Sequence, residues 1–129
     1  MSTLTRAQLI ELVETHYFGN VDAKRLEPAL ACFLPDATLT VQTAGVTHAG
    51  TAAIRRMFAD FFDSTKSIYH GDYRHVVDVE GQCIASQFIA RNVYGDGRTV
   101  EMRNCNFFEM KDGRFARVTI YMSGANPLV

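Results

Sequence analysis

Three glycine-containing turns divide the second half of this chain into four segments of about ten residues. The segments cover residues 67–79, 82–94, 99–110 and 114–122, and the turns between them are Glu80-Gly81, Gly95-Asp96-Gly97 and Lys111-Asp112-Gly113. Such turns are typical of tight hairpins, because glycine and aspartate tolerate a positive φ. Consecutive strands joined by tight hairpins pair antiparallel. The sequence therefore predicts an antiparallel meander.

The first half of the chain has the spacing of helices. Thr5 and Gln8 are spaced as a capping box, in which each side chain satisfies a backbone N–H of the other residue. The apolar residues that follow recur every three or four positions, as in an amphipathic helix. Gly19-Asn20 is a left-handed stop signal, so the first helix is predicted to end there.

Pro28 determines where a second helix can begin. Proline lacks a backbone N–H, which is harmless only in the first helical turn. The second helix is therefore expected to begin near Arg25 and to include Phe33. If Asp22 were its N-cap, Pro28 would lie inside the helix at a cost of about 3 kcal/mol. Asp22 is therefore expected to be free for another role.

A short strand and a third helix complete the series. Leu39 and Val41 alternate with polar residues, as in a strand with one buried face, and Gly50-Thr51 precedes apolar residues at helical spacing. The predicted order is α-α-β-α-β-β-β-β, in one domain over residues 1–129. This is an α+β fold whose long sheet wraps round the helices to bury an aromatic-rich face.

Composition and charge exclude several classes of protein. The chain is 47% hydrophobic and 21% charged, which excludes a disordered tail. Its net charge of -1 supplies no long-range field for nucleic acid or an anionic membrane, so neither partner is expected. The start of the chain is unlike a signal peptide, and no apolar run approaches the ~18 residues that span a bilayer. The cytoplasm is the expected location.

The cysteines do not indicate a disulfide framework or a metal site. Cys32, Cys83 and Cys105 are odd in number and far apart, with no C-x-x-C spacing and no nearby pair of histidines. We expect them to be small, passive core or interface residues. No metal and no cofactor is expected.

Short stretches spread over the chain form a distributed pattern. They are Tyr17 at the end of the first helix, Val21-Asp22, Phe33-Leu34-Pro35-Asp36-Ala37-Thr38, His48-Ala49-Gly50-Thr51-Ala52-Ala53-Ile54 and Val77-Asp78-Val79-Glu80-Gly81. In this pattern the chain resembles, over essentially its whole length, the nuclear transport factor 2-like superfamily and its SnoaL-like branch. The resemblance implies a cone-shaped α+β barrel with a strongly curved antiparallel sheet wrapped round three N-terminal helices. It implies a fold more than a function, because this fold hosts isomerases, dehydratases, cyclases, hydrolases and structural modules.

The resemblance places Tyr17, Asp22 and His70 at the pocket, where scytalone dehydratase-like and bile-acid dehydratase-like members keep a tyrosine, an aspartate and a histidine. A histidine titrates near neutral pH, and a carboxylate can orient it and stabilise its charged form. A tyrosine O–H can hydrogen-bond a carbonyl as negative charge develops. The structural alternatives are a core residue for Tyr17, a turn or cap residue for Asp22, and a surface or core histidine for His70.

Three weaker candidates for substrate binding lie on the predicted strands. Asn104 and Asn106 share one strand face with Met102, Phe108 and Met110. A buried amide needs a partner, either a ligand oxygen or a cross-strand or solvent hydrogen bond.

The third candidate is Gln87, which falls where the scytalone dehydratase-like pattern has a second histidine. The chain would then have one strong base in the pocket, which disfavours scytalone as the substrate.

Tyr17 also matches the oxyanion-hole tyrosine of the ketosteroid isomerase branch. The general base of that branch is an aspartate on the first strand, for which the nearest match is Val41. Its second oxyanion-hole residue, an aspartate, is matched only by Asn104 or Asn106. Steroid isomerisation by that mechanism is disfavoured, although His70 could act as base from another wall. The arginine-and-paired-aspartate set of the epoxide-hydrolase branch is not evident.

The remaining polar residues are expected to be structural. His16 should point about 100° away from Tyr17 on a helix. His75 has the opposite strand parity to His70 and should face the other side of the sheet unless a bulge intervenes. Cross-strand ion pairs on the convex face are expected among Arg91, Arg103, Arg114, Arg117, Glu101 and Glu109.

These observations favour a cofactor-independent lyase that removes water from a small apolar or polycyclic hydroxy-carbonyl compound through His70, Asp22 and Tyr17. The alternative within enzymes is an isomerase or polyketide cyclase with the same enolate chemistry. The alternative outside enzymes is a non-catalytic small-molecule-binding or dimerisation module, which a wholly apolar pocket would support. A homodimer is expected, because Phe107, Phe115 or Val118 on the convex face would need covering.

Overall fold

The computed structural model describes residues 3–129. Its helices are α1 (Arg6–Glu11), a π-helical segment (Leu12–Phe18), α2 (Gly19–Asp22), α3 (Leu26–Leu30) and α4 (Gly50–Ser64). Its strands are β1 (Phe33–Val41), β2 (Val46–Ala49), β3 (Thr65–Asp78), β4 (Cys83–Tyr94), β5 (Thr99–Lys111) and β6 (Arg114–Tyr121). The predicted α+β class is confirmed.

The strands form one curved sheet in the order β2-β1-β6-β5-β4-β3. Strands β3 to β6 are the predicted meander, and each pairs antiparallel with the next. Strand β1 pairs parallel with β6, and β2 pairs antiparallel with β1. The sheet is open, with β2 and β3 as its edges, so it is not a closed barrel.

The first helix runs further than the sequence predicts. The capping box of Thr5 and Gln8 is present, but Gly19 has a helical φ of -57° and its N–H bonds to the Glu14 carbonyl. The Asn20 side chain donates to the His16 carbonyl at 2.6 Å, within the helix. The left-handed residue that ends the helix is Lys24, with a φ of 56°. The stop predicted at Gly19-Asn20 is therefore wrong.

The second predicted helix begins where Pro28 requires. Arg25 precedes the first residue of α3 in an extended conformation. The helix ends at Leu30, however, and Phe33 begins β1. Phe33 pairs across the sheet with Phe115 and is buried, because the tertiary packing of an aromatic residue outweighs its helical spacing.

Strand β3 contains a bulge at Asp72, which has a φ of 55°. Gly71 pairs with Ile89 and Arg74 pairs with Gln87, so β3 has one more residue than β4 between these two pairs. The extra residue reverses the strand parity beyond it. His75 therefore lies on the same concave face as His70.

The concave face of the sheet packs on the helices and forms one core cluster. The predicted inward face of β5, from Met102 to Met110, is buried. Phe115 and Val118 are also fully buried, so their predicted place on the convex face is wrong. They pair with Met110 and Phe108, whose side chains face the core. Only Phe107 of the three lies on the convex face, 42% exposed.

Some of the ion pairs predicted for the convex face are present. Arg91 bonds to Glu101 at 2.8 Å, and Arg117 lies 3.1 Å from Glu109. Arg103 is 3.9 Å from Glu101, whereas Arg114 donates to the Phe33 carbonyl. Among residues 3–129, no helix combines the length and the hydropathy needed to span a membrane.

Candidate active site

A histidine and an aspartate form the centre of the candidate site. Asp22 is the last residue of α2, and His70 lies on β3. Oδ1 of Asp22 is 2.5 Å from Nδ1 of His70, and Oδ2 of Asp22 accepts the backbone N–H of His70 at 2.9 Å. A carboxylate accepts only, so the proton between them lies on Nδ1 of the ring. Nε2 of His70 is then the basic atom.

The continuation of the first helix positions Asp22. Because the chain stays helical through Gly19, the carboxylate of Asp22 points to β3 rather than into a turn. Arg25, and not Asp22, precedes α3. Asp22 is therefore a partner of His70 and does not cap the next helix.

Tyr17 occupies an aromatic cage. Its ring packs edge-on, with centroid distances of 5.3–6.2 Å, against Phe33, Phe58, Phe108 and Phe115. Burial, with smaller effects of Cys32, Asp22 and Tyr73, raises the pKa of the Tyr17 phenol above its usual value. Tyr17 is therefore a neutral hydrogen-bond donor throughout the physiological range.

The neighbour of Tyr17 in sequence points away, as predicted. His16 is exposed and lies 3.4 Å from Glu11, which is also exposed.

Tyr17 and His70 line an interior cavity of about 30 Å³. Asn104 and Asn106 also line it, and the other lining residues are apolar: Phe18, Val21, Phe58, Phe88, Ile120, Met122 and Leu128. The structure thus brings together four predicted site residues, with Asp22 behind His70. The cavity has room for about one or two water molecules.

The two asparagines have different environments. Oδ1 of Asn104 accepts the backbone N–H of Ser123 at 3.2 Å. Oδ1 of Asn106 is buried and has no hydrogen-bond partner within residues 3–129. An unpaired buried polar atom costs about 1–3 kcal/mol. Asn106 therefore holds an unsatisfied acceptor beside the cavity, which a ligand hydroxyl or N–H could satisfy if the side chain turns toward it.

Gln87 does not reach this cavity. It lies on β4 between Ser86 and Phe88, both of which face the core, so its own side chain is exposed on the convex face. Strand parity therefore places Gln87 outside this cavity, unlike Asn104 and Asn106.

One wall of the cavity lies outside the helices and strands. We call residues 122–129 the strap. Leu128 of the strap is buried against the cavity, its carbonyl lies 2.9 Å from Nε2 of His48, and the Met122 N–H bonds to Thr43 at 3.2 Å. Neither Leu128 nor His48 is assigned to the site by the sequence alone, because only tertiary contacts connect them to it.

The part of the chain from residue 3 onwards holds no group of three or more histidine, cysteine or acidic side chains able to bind a metal ion. All three cysteines are free.

Structural comparison finds close relatives of this fold. A proposed polyketide cyclase from Xanthomonas campestris pv. campestris is 24% identical, with a TM-score of 0.79 over 90% of each chain. A proposed isomerase from Bacillus subtilis is 13% identical, with a TM-score of 0.80 over 91% of this chain and 87% of its own.

A third relative is SalBIII, an epoxide hydrolase/cyclase-like enzyme of pyran ring formation in the polyether salinomycin. It is 15% identical, with a TM-score of 0.80 over 91% of this chain and 92% of its own. At these identities the likeness establishes the fold alone.

Sequence comparison points to the same family. No curated protein matches the chain. The family model of the SnoaL-like domain matches residues 14–118, which run from within the π-helical segment into β6 and include the whole of β1 to β5. Because the match covers most of the chain and contains both members of the histidine–aspartate pair, this protein belongs to the SnoaL-like domain family.

Proposed function

We propose that this protein is a cofactor-independent acid–base enzyme that removes water from a small, largely apolar β-hydroxy carbonyl compound. The observation that carries the proposal is the 2.5 Å contact between Asp22 and His70 beside the cavity that Tyr17 also lines. The contact leaves Nε2 of His70 as the base, and the raised pKa of Tyr17 keeps its O–H as a donor.

The first step is proton abstraction next to the carbonyl. Nε2 of His70 takes the α-proton, and the electron pair of the broken C–H bond forms an enolate. The Tyr17 O–H donates to the enolate oxygen, and the carboxylate of Asp22 stabilises the imidazolium that His70 becomes.

The second step returns the same proton. The enolate re-forms the carbonyl and expels the β-hydroxyl, which takes the proton from Nε2 of His70 and leaves as water. The product is an α,β-unsaturated carbonyl compound, and His70 is again neutral. One base is sufficient because it acts first as base and then as acid.

Substrate entry requires the cavity to enlarge. Pockets for small organic ligands have volumes of roughly 300–1,000 Å³, far above the 30 Å³ here. The strap supplies the wall that can move with least loss of regular hydrogen bonding, because Met122 and Leu128 lie outside the helices and strands. We expect the substrate to displace Leu128.

An isomerase or polyketide cyclase would use the same enolate without losing water, and the named relatives make this the second candidate. A non-catalytic binding module, which a wholly apolar cavity would support, fits less well because Tyr17, His70 and Asn106 line this cavity.

The test uses the aldol adduct of benzaldehyde and acetone, a β-hydroxy ketone whose dehydration gives a conjugated enone that absorbs in the near ultraviolet. Mass spectrometry in deuterated water follows two signals, loss of water and deuterium uptake at the α-carbon. The lyase predicts both signals, because an enolate that is reprotonated by a solvent-exchanged His70 before it expels the hydroxyl takes up deuterium, and an isomerase or cyclase predicts uptake alone. Absence of both signals in a panel of hydroxy ketones and hydroxyacyl thioesters would favour the binding module.

Two matched variants distinguish loss of the catalytic base from a general effect of replacing a histidine. His70→Gln should lower both signals about 10²–10⁴-fold, whereas His16→Gln, at an exposed histidine on the same protein, should not change them.

We also propose that the protein forms a homodimer through the convex face of the sheet. Tyr69, Val76, Phe107 and Tyr121 are all at least 42% exposed there. Arginines and glutamates alternate on the same face, so a two-fold axis can place charges of one copy opposite those of the other.

A further inference from the structure

A second histidine–carboxylate pair lies beside the candidate site. Nε2 of His75 is 2.5 Å from Oε2 of Glu14, and Nδ1 of His75 is 2.8 Å from Oγ of Ser86. The π-helical segment supplies Glu14, and the bulge in β3 turns His75 to the concave face. The mechanism proposed above uses none of these three residues.

A serine, a histidine and a glutamate connected in this way also form the triad of some hydrolases. The nucleophile of such a triad must contact its substrate. Ser86 is fully buried and is not among the residues that line the interior cavity. Its hydroxyl can therefore act only on neighbouring protein groups.

One neighbour of Ser86 lines the cavity. Ser86 on β4 pairs directly with Asn106 on β5, and both side chains face the core, so their Cβ atoms are about 5 Å apart. Asn106 is one of two residues, with Asn92, whose buried Oδ1 has no partner within residues 3–129. The Ser86 hydroxyl and this oxygen are thus a donor and an acceptor on adjacent strands.

The protonation of His75 decides where the Ser86 hydrogen points. In neutral His75 with its proton on Nε2, that N–H donates to Glu14 and Nδ1 accepts the Ser86 O–H. In charged His75, Nδ1–H donates to Ser86 Oγ, and the Ser86 hydrogen must turn to another acceptor. Oδ1 of Asn106 is an unpartnered acceptor across the strand pair, not bonded to Ser86 in this structure, and a turn of the Asn106 side chain would bring the two groups together.

We propose that Glu14, His75 and Ser86 form a relay that sets whether Oδ1 of Asn106 is free to accept a hydrogen bond from the ligand. When His75 is neutral, Asn106 is free and binds a ligand hydroxyl. When His75 is charged, the Ser86 hydroxyl donates to Oδ1 of Asn106, which is then no longer free to bind the ligand. The three relay residues are positioning residues, and the inference rests on the proposed function only for the identity of the ligand.

The charged and titratable groups that face His75 are few. Glu14 faces it from the π-helical segment, and Tyr73 stacks on its ring from β3 with a centroid distance of 5.6 Å. Burial, with the carboxylates of Asp22 and Glu14, raises the pKa of Tyr73, so this neighbour stays neutral. Arg74 and Cys105 border the surface groove that His75 also lines.

The first measurement needs no ligand. Nitrogen-15 NMR of the full chain should show the side-chain amide of Asn106 shifting with the same pH midpoint as the His75 ring. In Ser86→Ala the His75 titration should remain and the Asn106 shift should disappear. In Glu14→Gln both transitions should move together to lower pH, because a neutral amide stabilises the imidazolium less than a carboxylate does. Glu11→Gln, which alters the exposed partner of His16, should move neither.

The second measurement is affinity for the aldol adduct of benzaldehyde and acetone. As the pH is lowered through the midpoint that NMR gives for the His75 ring, affinity should fall about two- to tenfold, the effect of one hydrogen bond. Glu14→Gln should displace this fall to lower pH, and Ser86→Ala should remove it.

The relay would be overturned if the Asn106 amide signal changed with pH in Ser86→Ala as it does in the wild type. It would also be overturned if the pH midpoint of that signal did not move in Glu14→Gln. If Ser86→Ala does not fold, Glu14→Gln decides alone, since Glu14 is partly exposed. If the adduct does not bind, the proposed substrate class fails, and the NMR titration still decides the relay.

Discussion

Both carboxylate oxygens of Asp22 bind His70, 48 positions later in the chain, one through the ring and the other through the backbone N–H. The backbone contact fixes the strand relative to the helix, and the ring contact fixes the tautomer. One side chain therefore ties the first helix to β3 and prepares the base.

Asp22→Asn should separate these two roles. The amide oxygen can still accept one hydrogen bond, but it cannot stabilise the imidazolium. We expect deuterium uptake into the ketone to fall about 10²-fold or more, with little change in the binding constant of the ketone. Asp60→Asn, at an exposed aspartate of α4, is the control. Equal uptake in both variants would contradict the role of Asp22.

Tyr17→Phe should alter stability at alkaline pH. The pKa of Tyr17 is higher in the folded state than in the unfolded state, so its contribution is fully present below about pH 10 and is lost as the pH rises further. In that range the wild type should lose about 1.4 kcal/mol of unfolding free energy per pH unit from this group.

Urea unfolding between about pH 9 and pH 11 measures this slope. The slope should be smaller in Tyr17→Phe by about half of that amount near pH 10 and by nearly all of it near pH 11, and it should be unchanged in Tyr121→Phe, whose ring is 47% exposed. Identical slopes in the wild type and Tyr17→Phe would show that the phenol is not shielded from water.

Leu128→Ala should open the cavity. Truncating a buried leucine costs about 2 kcal/mol or more in unfolding free energy, and the lost volume adjoins Tyr17 and His70. We expect the variant to bind the phenyl-bearing ketone more tightly than the wild type does, because less of the strap must be displaced. Val129→Ala, next in the strap but 74% exposed, should change neither quantity. Unchanged ketone affinity in Leu128→Ala would place the entry route elsewhere.

The proposed homodimer can be tested by charge on the convex face. Val76→Glu combined with Phe107→Glu should convert a dimer to a monomer in sedimentation at micromolar concentration, because two apolar groups that a partner copy would cover become charged. Ala59→Glu, on the exposed side of α4, should leave the dimer intact. A wild type with only the monomer mass would refute the dimer.

The cysteines should be inert. Burial raises the pKa of the Cys32 thiol to about 12, and it raises the thiol pKa of Cys83 and Cys105 as well. At neutral pH all three should therefore react slowly with iodoacetamide, Cys32 least of all. Their combined replacement by alanine should keep turnover and cost some stability at Cys32. Lost turnover in a folded triple variant would assign one of them a role.

The features that the sequence predicts correctly are local. The three hairpins, the capping box of Thr5 and Gln8, and the start of α3 before Pro28 all depend on residues within a few positions of one another. The backbone preferences of glycine, aspartate and proline decide such features wherever the rest of the chain lies. The alternation that buries Asn104 and Asn106 is local in the same sense.

The features that the sequence does not predict depend on distant contacts. Gly19 stays helical, Phe33 joins a strand beside Phe115, and Asp72 inserts a bulge that reverses the direction of His75. In each case packing between elements outweighs a local preference of about 1 kcal/mol.

By itself, the sequence determined the meander, the order of the elements apart from strand β2, which it did not predict, and the residue types available for acid–base chemistry. Only the tertiary structure decided that Glu14 meets His75 across 61 positions, that Gln87 lies outside the cavity and that Leu128 closes it. The physical reason is strand register. A shift of one residue reverses every side chain beyond it, and register follows from the packing of the whole sheet rather than from any short segment.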